Sequence, residues 1–383
     1  IHCHREGLAE PLATPYHEFE ECGRALVYNK GALFFRALRS HLGDELFQRV
    51  LRTYFELWQF KHVDGETFLA VAEEVSELDL RDFYTQWIRS AKDCDYALER
   101  FKVRPAGDGY EADVRIRRRG EMILPLSLVF RLENGEQVTE RLDGMSREME
   151  RTFTFESRPR SAHINPGNEI LDIYALDNRL PRARRLSFER PGPKRWPPAA
   201  YQYYWLPLGW YNDVDGGKAG LRLGGGYDGR YRLFTLQGVY GFESDAFDLY
   251  GRIDHPIGWL GRGTRLGLEG FAREGRQGAS LEIDKVQRAG RGGVLPRHWR
   301  LRFRYHELTD PDYVFPGTYD EGRNLWLGAG LALHPRADIF DAALSIDFDR
   351  SFWGSDHKYE RLSVESKIRA LSLIHISEPT RPY

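Results

Sequence analysis

Apolar residues change their period along this chain, and the changes mark its parts. From Leu26 they recur at helical spacing, with Leu26, Ala32-Leu33, Leu38 and Leu42 near one face. Gly43 reads as a C-terminal stop and Asp44 as a new start. Leu46, Phe47, Val50, Leu51, Tyr54, Phe55 and Trp58 then make a second apolar face. Asp64-Gly65-Glu66 opens a third helix carrying Phe68, Leu69, Val71, Ala72 and Val75, and Asp79 opens a fourth with Phe83, Trp87 and Ile88. Four short helices with tight connections predict a helical subdomain. Before them, Pro11 and Pro15 make residues 1–25 read as irregular.

Near Tyr96 the period falls to two. Phe101 to Val103, Tyr110 to Ile116, Leu124 to Leu132 (interrupted by Pro125), Val138 to Leu142 and Arg151 to Phe155 read as strands. Asn134-Gly135 is a strong hairpin signal, and Asp108-Gly109 and Asp143-Gly144 mark further turns. Short strands at this spacing suggest a small β-sandwich over 96–180. Residues 181–200, with five prolines and many arginines, read as an extended linker.

From Tyr201 to Ala370 the alternation is longer and cleaner. Phe234, Leu236, Tyr240 and Phe242 share a face opposite Thr235 and Gln237. Trp299, Leu301, Phe303 and Tyr305 oppose Arg300, Arg302, Arg304 and His306, and Leu344, Ile346 and Phe348 oppose Asp347 and Asp349. Segments of about ten residues with one apolar and one charged face are the pattern of an outer-membrane β-barrel. A soluble sheet gives the same alternation, but a charged face this dense suits a water-filled lumen better. Seven or eight strands can be picked out, so the barrel is expected to be antiparallel and incomplete.

Composition narrows the classes. A net charge of -2 gives no footing for nucleic acid as a partner. No run of 18 apolar residues is present, so no spanning helix is expected. Cys3, Cys22 and Cys94 are widely spaced and odd in number, which favours free thiols, with a single pair left open. The chain starts at Ile1 without an initiator Met and reads as cut from a longer one. Residues 371–383 read like a translated sequencing adapter and are set aside from fold reasoning.

The candidate chemistry lies in Val27-Tyr28-Asn29-Lys30-Gly31-Ala32, with Leu42-Gly43, Phe47, Tyr54 and Trp87 downstream. This run resembles the helical end of the catalytic domain in zinc aminopeptidases of the membrane alanyl aminopeptidase and leukotriene hydrolase family. The resemblance covers roughly residues 20–175, strongly over 26–90. It implies an α+β multidomain chain: residues 1–95 as the C-terminal helical part of a peptidase catalytic domain, 96–180 as an immunoglobulin-like sandwich, then the linker and the 201–370 barrel region. It also implies peptide substrates and a catalytic role for Tyr28, whose neutral phenol would donate to the oxyanion of the transition state. Zinc is expected in the full-length parent, bound by a His-Glu-x-x-His helix and a later Glu. That motif is absent here; His17-Glu18 comes nearest, but Cys22 follows Glu21 where a second His is needed. The fragment alone is therefore expected to bind no zinc and to be inactive.

Other clusters carry blander readings. His2-Cys3-His4 lacks further ligands, and Asp213-Val214-Asp215-Gly216 lacks the Glu that closes a calcium loop. The Arg300, Arg302, Arg304 face could hold an anion or a lipid headgroup, but reads first as a solvated lumen wall. Together the parts predict an aminopeptidase tethered at a bacterial outer membrane, with membrane lipid as a partner of the barrel. The alternative is an outer-membrane assembly, transport or binding protein whose peptidase-like part does not catalyse.

Overall fold

The computed structural model describes residues 1–15, 18–19, 22–167, 170–189, 199–288, 297–315, 317, 321–337 and 340–370. His17, residues 190–198 of the Pro-rich stretch and the adapter-like tail lie outside them. The chain divides into two compact units, Ile1–Ala183 with Pro198–Ala200, and Arg184–Pro197 with Tyr201–Tyr383.

In the first unit the helices fall where local chemistry puts them. Gly31–Leu42 ends at Gly43, whose φ of 83° lies in the left-handed region that glycine tolerates, and Asp44–Trp58 follows at once. Helix Gly65–Ser76 is capped by Asp64, whose carboxylate accepts from the Thr67 N–H at 2.8 Å. Leu38, Val50, Leu69, Ala72, Leu80 and Trp87 from these segments are fully buried. The face of Asp44–Trp58 is narrower than its pattern suggests: Val50 is buried, but Leu51 and Phe55 are exposed, because this helix packs along one edge of its apolar stripe only. Residues 1–25 are less irregular than expected, with short helices at His2–Arg5 and Gly23–Ala25.

Two antiparallel sheets share that core. Strands β1 (Tyr96–Ala106), β2 (Gly109–Arg118), β3 (Leu126–Leu132), β4 (Gln137–Leu142), β5 (Glu148–Phe155), β6 (Pro159–Ile164) and β7 (Arg179–Leu180) pair in the orders β1-β2-β5 and β4-β3-β6-β7. Inward residues of both sheets, among them Leu98, Val114, Ile116, Leu128, Phe130 and Ile164, join Trp87 and Tyr96 in one apolar cluster. The β3–β4 turn carries Asn134-Gly135, with Gly135 at φ 91°.

The second unit is one antiparallel sheet. Its strands are β8 (Ala183–Phe188), β9 (Ala200–Asn212), β10 (Gly216–Tyr227), β11 (Tyr231–Gly241), β12 (Phe247–Pro256), β13 (Thr264–Arg273), β14 (Arg276–Val286), β15 (His298–Leu308), β16 (Gly322–Leu333), β17 (Arg336–Ala337), β18 (Phe340–Ser351) and β19 (Glu360–Ala370). The order is sequential from β8 to β16, then β18, which also pairs β17 and β19. Among the described residues β8 and β19 do not pair with each other, so the sheet is open. Eleven of the twelve strands, β9 to β19, lie where seven or eight were read from the pattern. Gly217, Gly220 and Gly224–226 blur the alternation of β10, yet their backbones pair continuously with β9, while the register with β11 shifts between Gly225 and Tyr227. The linker reading fails over Ala183–Phe188, which is an edge strand; edges tolerate arginines because their charges reach water.

The sheet is inverted relative to a soluble one. Leu236, Leu249, Ile253, Leu301, Leu327 and Leu362 are exposed. The alternate positions carry charges that pair with each other: Arg252 with Glu269 at 2.9 Å, Arg302 with Asp347 and Asp349 at 2.9 and 3.1 Å. At one end Lys218 is buried and paired with Asp215 at 2.6 Å and with Asp248.

Candidate active site around Tyr28

Tyr28 stands on a turn of π-helix, Leu26–Lys30, that runs directly into helix Gly31–Leu42. The wide turn has a clear inside and outside. Leu26 and Lys30 are buried, whereas Val27 is exposed and Tyr28 is 69% exposed. The phenol therefore faces open space. Single π-turns inside α-helices recur at functional sites.

Lys30 anchors this turn. Its ammonium donates to the Ser90 carbonyl at 3.0 Å, sixty residues on, and burial pushes its pKa down to about 8 while Asp93 opposes the shift. Asp93 meets His4 Nδ1 at 2.8 Å. His4 is buried, its pKa lowered chiefly by desolvation, and its Nε2 has no hydrogen-bond partner among the described residues. Neither the His4–Asp93 pair nor the Lys30 anchor was legible in the pattern, because both contacts span tens of residues.

The cysteine expectation is corrected here. Cys3 and Cys22 form a disulfide with Cα atoms 6.2 Å apart, and only Cys94 is a free, buried thiol. The chain between them folds back, so spacing in sequence said nothing of distance in space. The bond ties the N-terminal helix to the residue that precedes the Tyr28 segment. Closing a loop of this length stabilises the fold by about 3 kcal/mol in the chain-entropy account.

The described residues do not complete a zinc site. A catalytic zinc takes three protein ligands. His2 Nδ1 lies 3.7 Å from the buried Glu6 carboxylate, but no third such side chain joins them among the described residues. His4 points its Nδ1 at Asp93, and Cys3 is spent in the disulfide, so His2-Cys3-His4 is no metal cluster. The one described group of three such side chains, Asp215, Asp248 and Glu274, lies at the turn end of the large sheet and surrounds the Lys218 ammonium. A fixed cation already holds the place a metal would take.

Comparison with known proteins places the likeness on this part. Residues 10–87, which include Tyr28 and Lys30, match the Peptidase family M1 domain. "Aminopeptidase M1-C" of Oryza sativa subsp. japonica is 34% identical over 84 residues, 21% of this chain and 10% of its own length. "Aminopeptidase N" of Lactococcus lactis subsp. lactis is 36% identical over 64 residues, 17% of this chain and 8% of its own length. The chain thus spans a tenth or less of these curated relatives. Among solved structures, Legionella pneumophila aminopeptidase A in complex with aspartic acid aligns at 19% identity and a TM-score of 0.32, over 42% of this chain and 19% of that one. Pseudomonas aeruginosa OccK2 (OpdF) aligns at 8% identity and a TM-score of 0.26, over 71% of this chain and 66% of that one. Neither structural likeness is close enough to carry an argument.

Proposed function

We propose that this chain is part of a metallopeptidase of the aminopeptidase type, acting on peptides, in which Tyr28 donates its phenolic hydrogen to the carbonyl oxygen as charge develops there. The observation that carries the reading is the match of residues 10–87 to the Peptidase family M1 domain, with Tyr28 inside it on an open face of a π-turn. A preorganised donor of this kind acts where charge appears and needs no reorganisation at the moment of reaction. Zinc would supply Lewis acidity in the parent protein. The described residues offer no complete set, so no step is assigned to the metal here.

The test is hydrolysis of an amino-acid 4-nitroanilide by the parent protein with its metal set complete. Tyr28→Phe is expected to lower kcat by about 10²–10³ with little change in KM. Unchanged kcat would remove Tyr28 from the chemistry and favour a binding module that does not cleave.

The second unit is read as lipid-facing, at a bacterial outer membrane. What supports this is the inversion of the sheet: leucines exposed on one face, paired charges gathered on the other. Strands of 10 to 13 residues suit a tilted crossing of the hydrocarbon layer. No described helix is long and apolar enough to cross, which says nothing of strands.

A further inference from the structure

On the polar face of the sheet Arg304, like Arg273, lies over aromatic rings rather than against a carboxylate, and Arg304 borders open space. Register places Arg252, Glu269, Ser280, Arg304 and Trp326 in a single row across β12 to β16. Arg252 gives its charge to Glu269 at 2.9 Å. One row along, Arg302 is held by Asp347 and Asp349, and in the row beyond it Arg300 meets Glu282 at 3.4 Å. Arg304 has no acidic partner among the described residues. Its cross-strand neighbours are a serine and an indole, and its guanidinium lies over the Trp326 ring at 4.8 Å. Stacking on an aromatic face leaves the N–H fork at the edge of the group free to donate.

Space lies beside that fork. A cavity of about 670 Å³ opens over the row, because Gly267 and Ser280 are small where their neighbours are long. Its wall combines Arg304 and Asn324 with the rings of Phe271, Trp326 and Tyr359. Volumes of this order take a ligand of amino-acid or dipeptide size. Two carboxylates, Glu269 and Glu282, also line it, each answered by its own arginine, so the site holds one uncompensated positive charge. A monoanion balances that charge, whereas a phosphate dianion would meet two carboxylates at close range.

We propose that this cavity binds a small molecule carrying one carboxylate and an aromatic or apolar group, with the Arg304 fork on the carboxylate and the rings around the rest. A planar guanidinium and a carboxylate match bidentately, which a lysine would not reproduce. The proposal rests on the sheet alone and stands apart from the peptidase reading.

Isothermal titration of the folded full chain tests it with N-acetylphenylalanine, its neutral carboxamide and inorganic phosphate. The acid is expected to bind at least about tenfold more tightly than the amide or phosphate, as loss of a charge-assisted hydrogen bond predicts. Arg304→Gln is expected to weaken the acid by a similar factor and Arg304→Lys by less. Ser280→Leu keeps the charge but fills the cavity, and should abolish binding; it decides the matter if the Arg304 variants lose their circular dichroism. Equal binding of acid and amide, phosphate binding as tight as the acid, or full affinity in the Ser280→Leu chain would each overturn the proposal.

Discussion

Asp95 shows at the scale of one residue how burial sets behaviour. Its carboxyl is pushed up to about 7, first by desolvation and then by the neighbouring Asp172 and Asp177, with Arg119 opposing. One of its oxygens has no hydrogen-bond partner among the described residues. Asp172, also raised, to about 6, is better served, accepting from Tyr96 N, Tyr174 N and Asn178 Nδ2. A carboxyl raised on folding binds more protons in the native state than in the unfolded one between about pH 4 and 7. Its contribution is therefore present below pH 4 and lost as pH rises towards 7. His163, lowered to about 4 by burial, acts in the opposite sense over pH 4 to 6.5. The Asp95→Asn difference isolates one group from the other. The variant should match the parent near pH 4 and be more stable at pH 8 by on the order of 2 kcal/mol in urea unfolding. An equal midpoint at pH 8 would mean that Asp95 ionises without penalty.

At the scale of the element, two glycines of one helical run should respond with opposite signs. Gly31 has helical backbone angles, φ -59° and ψ -46°, and a methyl group there meets nothing within 4 Å. Gly31→Ala is expected to stabilise by about 0.4–1 kcal/mol, by reducing the freedom of the unfolded chain. Gly43 is equally open, but its φ of 83° is a conformation that other residues adopt with strain. Gly43→Ala should destabilise by about 1–3 kcal/mol. Thermal unfolding of both variants checks the pair; two changes of the same sign would mean that the turn at Gly43 relaxes. Start and stop residues of this sort act locally, which is why the boundary between the helices at 31–42 and 44–58 could be read before the structure. The π-turn at 26–30 could not, since its anchor, Lys30 on Ser90, depends on a segment sixty residues away.

For the whole molecule the decisive property is which face of the large sheet meets solvent. Leu301 on β15 is exposed and flanked by arginines that point the other way. If that face meets hydrocarbon, the refolded chain should float with phosphatidylcholine vesicles in a density gradient. Leu301→Arg should weaken insertion by about 2–4 kcal/mol if the position lies near the midplane. Ser363→Arg on β19, across from Asp347, should leave flotation unchanged, because that row already carries charge. Chain that stays at the bottom of the gradient would leave the apolar face without lipid.

The periods of the apolar residues determined the elements by themselves: helices to Trp87, short strands from Tyr96, long strands beyond Tyr201. They could do so because a period reports which residues share a face, and that is fixed by backbone geometry within a few residues. Pattern could not say which face is covered, how many glycine-blurred strands join the sheet, or that Ala183–Phe188 is a strand. Nor could it bring Cys3 to Cys22, His4 to Asp93, or lay Arg304 over Trp326 without an acidic partner. Those depend on distances between residues far apart in sequence, and only the folded chain sets such distances.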